Sequence, residues 1–164
     1  MSGNILEALL DSWDRNNTIL TNLLGAVSRE ALDLRPIEGS PSVGELFAHI
    51  HYVRLVFVEE DAPEFADLVP ASEWQSDNDQ ARLTEMLNES AAAVRKAVKG
   101  RLDAGREMDV HYDHPILMMQ HLIWHEGYHH GQIKLTLKLA GSPLDNKIAA
   151  PLTWRVWMSK RSRL

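Results

Sequence analysis

A chain of 164 residues with 45% apolar side chains is long enough for one domain with a sizeable core. Its net charge of −6 argues against a nucleic-acid binder, and the terminal SKRSRL, with Lys160, Arg161 and Arg163, is too short to be more than a solvated end. The absence of cysteine excludes disulfides, thiolate zinc knuckles and a thiol nucleophile, so any metal must be held by His, Asp or Glu.

The opening MSGNILEALLDSWDRNN meets acidic residues too early for a signal peptide, and no apolar stretch is long enough to span a bilayer. The expectation is a cytoplasmic protein without a membrane partner, organised as a single domain over 1–164.

Ile5, Leu6, Leu9, Leu10, Trp13, Leu20, Leu23, Leu24 and Val27 recur with helical spacing, which predicts a first amphipathic helix over about residues 4–27. Ser42 and Glu45 stand in capping-box spacing, and Pro63 closes the pattern, so a second helix is expected over about 42–60. Residues 62–77, with Pro63, Pro70 and Trp74, read as a connection. A third helix, about 78–100, carries Leu83, Met86, Leu87, Ala91, Val94 and Val98 inward and is expected to end near Gly100. Pro115 suits the first turn of a fourth helix that runs to about Ala140, before Gly141 and Pro143. The tail leaves room for a short helix around Trp154 and Trp157. The fold expected is all-α: a four-helix bundle with a long connection between helices 2 and 3 and a short C-terminal extension.

The fourth helix carries HEGYHHGQ over residues 125–132. His125, Glu126 and His129 have the H-E-x-x-H spacing of a zinc protease, in which two imidazoles on one helical face share a metal and the Glu serves as base. A protease of that kind takes its third ligand from downstream, but no Glu follows Glu126 and no His follows His130. Proteolysis is therefore set aside, and a third ligand is sought upstream.

At about 100° per residue, His121, His125 and His129 fall at roughly 0°, 40° and 80°, with His114, Met118, Gln132, Thr136 and Leu139 in the same sector. Imidazoles buried there without partners would cost about 1–3 kcal/mol each, so an inward stripe of this kind calls for a metal or a dense polar network. An ordinary core or surface role is the usual fate of any one histidine. Three on one face point beyond it. Helix 2 offers His49 and His51, which lie on opposite flanks of its apolar stripe, and periodicity does not choose between them.

The segments SVGELFAHIHYVR and HLIWHEGYHHGQIKLTLKLAG resemble the DinB family, and the likeness extends over most of the chain in helix order and loop placement. The resemblance implies that one histidine of the second helix and an H-x-x-x-H pair of the fourth bind a divalent metal, zinc or nickel. It carries over onto His49, His125 and His129, with His51 second in line for the first position. Where the family often has Arg before Gly-Gln, this chain has His130 before Gly131 and Gln132.

Glu126 lies about 100° round the helix from His125 and is expected to back a ligand or face solvent. Gln132, Glu126 and Thr136 are candidate acceptors for the ligands' second ring N–H, and His51, His114, His121, Tyr128 and His130 are further candidates near the site.

Three neutral imidazoles leave coordination positions open, as a catalytic centre requires. The resemblance adds low-molecular-weight thiols to the expected small-molecule partners. Two functions follow: a metal-dependent hydrolase or thiol S-transferase, or a metal-binding stress-response protein without turnover in which the ion is structural. Relatives of this kind often form homodimers, and Trp74, Trp154 and Trp157 are expected at a subunit contact or capping the bundle ends.

Overall fold

The structure, a computed structural model, describes residues 5–160. Arg161 and Arg163 of the basic terminus lie outside these residues. Among the described residues all regular structure is helical: α1 Ile5–Ala26, α2 Val43–Asp61, α3 Gln80–Asp103, α4 Pro115–Leu139, α5 Asn146–Leu152 and α6 Arg155–Met158, with one-turn 3₁₀ segments at Glu30–Asp33 and Pro63–Phe65. No helix is long and apolar enough to cross a membrane.

The boundaries follow from local chemistry. The Ser42 hydroxyl accepts from Glu45 N at 3.1 Å while the Glu45 carboxylate accepts from Ser42 N at 2.7 Å, so the expected capping box starts α2. Asp79 caps α3 through Ala81 N and Arg82 N. His114 caps α4, with Nδ1 accepting from Ile116 N at 3.2 Å and Pro115 in the first turn. Beyond α4 the chain turns at Gly141, whose φ of 75° is open to glycine at no steric cost.

One boundary differs from expectation. The third helix does not stop at Gly100 but continues to Asp103. Gly100 is there for packing: a Cβ added at this position would stand 2.2 Å from Phe65 Cζ, so the bare backbone accommodates the ring that follows α2. Gly44 plays a similar part at the start of α2, where an added Cβ would meet the Asp77 carbonyl oxygen at 2.4 Å.

α3 packs on α1, α2 and α4, and α4 packs on α1, α2 and α3. The short α5 and α6 lie on α1, where Arg15 donates to the Val156 and Ser159 carbonyls and Asn22 to that of Leu152. One apolar cluster gathers Leu20, Leu24, Phe47, Ile50, Leu83 and Ile133, and a second gathers Leu10, Trp13, Val58, Val94, Met118 and Leu122. Each fully buried side chain of this kind contributes about 1.5–3 kcal/mol through its removal from water.

Along every long helix a buried polar residue falls between the two clusters: Asn16 on α1, Arg54 on α2, Ser90 on α3 and Glu126 on α4. They form one connected layer. Arg54 Nε donates to Glu126 Oε1 at 2.6 Å and Nη2 to Oε2 at 2.8 Å, while Nη1 donates to the Leu87 carbonyl at 2.8 Å and reaches Ser90 Oγ at 3.4 Å. Asn16 Nδ2 completes the carboxylate's partners, and Trp13 lies with its ring 4.8 Å from the guanidinium carbon.

Candidate metal centre

His49 projects from α2 and His125 and His129 from α4, and the three rings meet next to the polar layer. His49 Nε2 stands 3.3 Å from His125 Nε2, and His129 Nε2 stands 2.9 Å from His125 Nε2. One ligand atom from each residue lies within 4.8 Å of the other two. For comparison, nitrogens on a tetrahedral zinc at about 2.0–2.1 Å sit roughly 3.3 Å apart.

The protons on these rings decide whether a cation fits. His129 Nδ1–H donates to Gln132 Oε1 at 2.7 Å, so its Nε2 presents a lone pair. If His125 Nε2 is bare, its lone pair opposes that of His129. If it carries the proton instead, His125 Nδ1 is left without one, and that atom is buried with no hydrogen-bond partner in either case. A divalent cation would relieve this by taking one nitrogen from each ring, and the donor set of neutral imidazoles suits a zinc-like ion.

The electrostatics agree. Burial, and then the charge that a protonated His129 places beside it, pushes His49 down to about 4. Burial, followed by His129 and His49, likewise pushes His125 down to about 4. His129 is lowered by burial against the opposing pull of Gln132 and Glu126. All three are therefore neutral at pH 7, the form in which imidazole can bind a metal.

The partners of the second ring nitrogens differ. Gln132 holds His129 and donates through Nε2 to the Tyr128 hydroxyl at 3.0 Å. Glu73 Oε1 approaches His49 Nδ1 to 3.1 Å, though without the alignment of a hydrogen bond, since the same nitrogen has no hydrogen-bond partner. Trp74 stacks on the His49 ring at a centroid distance of 4.4 Å and an interplanar angle of 5°. The connection between α2 and α3 thus covers the site, which its irregular sequence did not announce.

Several expectations are corrected by these positions. His51 faces α3, its Nδ1 donating to the Met86 carbonyl at 2.6 Å, so it stands apart from the cluster. His121 is exposed rather than inward, and its Nδ1 pairs with the Tyr112 hydroxyl at 2.7 Å beside Phe57. Glu126 is neither exposed nor bonded to a cluster histidine; Arg54 and Asn16 take both of its oxygens. Thr136 donates to the Gln132 carbonyl and contacts no ligand nitrogen, and His114 is spent as a helix cap. His130 is half-buried, with Nε2 unpartnered, away from the three facing nitrogens. Trp74 lies on His49 instead of joining Trp154 and Trp157.

His49 and His129 also line a cavity of about 390 Å³. Pro36, Pro41, Leu46, Trp74 and Leu135 form its apolar wall, and Ser40, Tyr128, Gln132 and Thr136 supply uncharged polar groups. That volume and lining are those of a small-molecule site.

The model of the DinB family matches residues 1–147. The chain belongs to the DinB family. No curated protein and no solved structure matches it. Membership and the three-histidine cluster together fit a metal-binding DinB protein, and the match covers both helices that supply the cluster.

Proposed function

We propose that this DinB protein is a divalent-metal enzyme, a hydrolase or thiol S-transferase acting on a small molecule, with His49, His125 and His129 as the ligands of zinc or nickel. The observation that carries the reading is the convergence of three neutral imidazole nitrogens, two of them on residues that line a cavity. A bound ion there would act as a Lewis acid toward a water, thiol or carbonyl oxygen. The chain's own residues do the rest. Gln132 fixes the His129 tautomer, and the Tyr128 hydroxyl, which accepts from Gln132, keeps its own proton to donate to a ligand. Trp74 and the two prolines shield the pocket from water.

The alternative, an ion that only clamps α2 to α4, is less well supported because the buried Arg54–Glu126 pair already joins those helices. The four long helices are read as a four-helix bundle forming one domain, and the protein as a cytoplasmic homodimer. Exposed Trp154 and Trp157 support a subunit contact. Light scattering that returns only monomer would remove the dimer.

Elemental analysis of the purified protein is expected to find about one zinc or nickel per chain. Substitution of His49, His125 or His129 by Ala should remove it, whereas His51→Ala should not. A screen of small thiols and esters on the loaded protein then tests turnover. Metal retained by His125→Ala would displace the site.

A further inference from the structure

The cavity beside the three histidines is unusual in what it omits. Among the described residues, its wall carries no Lys, Arg, Asp or Glu. Arg35, which precedes the lining Pro36, is taken up by Glu45 at 2.7 and 3.0 Å and by the carbonyl of Ser40. Glu73, at 3.1 Å from His49 Nδ1, would repel an anionic substituent nearby. Away from the histidine end, where the donor atom would sit, a carboxylate entering this pocket finds no cation among the lining residues to replace its water.

What the wall does offer is aromatic and apolar surface. Trp74 stacks face to face on His49 and also borders the cavity, as do Leu46 and Leu135. The volume of about 390 Å³ exceeds the roughly 150 Å³ that suffices for a benzene ring. Tyr128 and Gln132 stand at the polar end, beside His129.

We propose that the ligand class of this site is a small arene bearing one thiol or hydroxyl donor and no other charged group, with its ring against Trp74 and its donor atom toward the histidines. The proposal rests on the metal reading for the donor atom. The ring's place depends on the cavity alone. Thiols bearing carboxylates or ammonium groups are disfavoured by the same wall.

The test is calorimetric titration of the protein as purified, with metal content measured on the same sample. Benzenethiol and 4-mercaptobenzoate share ring and donor and differ by one carboxylate. Benzenethiol should bind at least about tenfold more tightly, and Trp74→Ala should weaken it roughly tenfold, the scale of one lost aromatic contact, with Trp74→Phe recovering most of the loss. Equal or tighter binding of 4-mercaptobenzoate overturns the proposal, as does a Trp74→Ala protein with unchanged affinity. Toluene has no donor atom and reads the cavity by itself. Toluene binding to protein that holds no metal would sink the metal reading while sustaining the ligand class, and failure of toluene to bind metal-loaded protein would sink the ligand class while leaving the metal reading intact.

Discussion

Arg54 and Glu126 meet through two parallel hydrogen bonds of 2.6 and 2.8 Å, with both side chains out of contact with solvent. The geometry of such a pair offsets the desolvation of two charges, but removal of one partner strands the other. Glu126→Gln is expected to lower the urea stability by about 3–5 kcal/mol. The double change Arg54→Met with Glu126→Leu should cost far less, because no charge is left buried. An E126Q protein as stable as the parent would contradict this account of the layer.

If the three histidines hold a metal, Gln132 would set its affinity without touching it. Its Oε1 takes the Nδ1 proton of His129 at 2.7 Å, which turns Nε2 toward the cluster. Gln132→Leu is expected to weaken metal binding by about 10–100-fold in a chelator competition, with helical content unchanged. Unaltered affinity would mean that the ring is oriented by packing alone.

Acid should destabilise the metal-free protein through the same cluster. His49 and His125 are held to about 4 in the folded chain by burial, against roughly 6.5 when unfolded. Between those values the unfolded chain binds more protons, so stability is full above about pH 6.5 and falls as the pH drops toward about 4. Chelator-treated protein is expected to keep its helical circular dichroism at pH 7, melt below the metal-loaded form, and lose further melting temperature over that interval. A flat profile from pH 7 to 4 would count against neutral, buried imidazoles.

Gly44 links the start of α2 to the cover of the site. A Cβ there would stand 2.4 Å from the Asp77 carbonyl oxygen and 3.3 Å from that of Leu32, both backbone atoms with little room to yield. Gly44→Ala is expected to cost about 1–3 kcal/mol in thermal or urea unfolding. It should also displace the segment that carries Trp74, visible as altered tryptophan fluorescence. An Ala variant with unchanged stability and emission would show that the connection gives way freely.

The helices were readable where local chemistry marks them: Ser42 with Glu45, Pro115, and the turn at Gly141. The H-x-x-x-H pair was readable because it lies on one helix. His49 and His51 were not separable by periodicity, since each flanks the stripe; the family resemblance chose His49, and the packing of α2 between α3 and α4 brings His49 to His125 and turns His51 to Met86. The histidine stripe was drawn too long: α4 rotates His121 toward Tyr112 and solvent, and Glu126 toward Arg54. Glu73 and Trp74 come from a stretch with no period to read, so their place over His49 is a tertiary result. Gly100 was taken for a helix end because its meaning lies in Phe65, far away along the chain.

The separation of the three histidines along the chain sets an order of assembly. His125 and His129 are four residues apart and come together as soon as α4 forms, a local event on the nanosecond to microsecond scale. His49 lies 76 residues from His125, and joining them requires closure of the intervening chain, including α3. An ion met early in folding would find only the pair on α4, and tight capture must wait until α2 has docked. Loading of such a site would in this sense report the docking of α2 on α4, and a chain cut before α4 would keep α2 and His49 yet have nothing to close on.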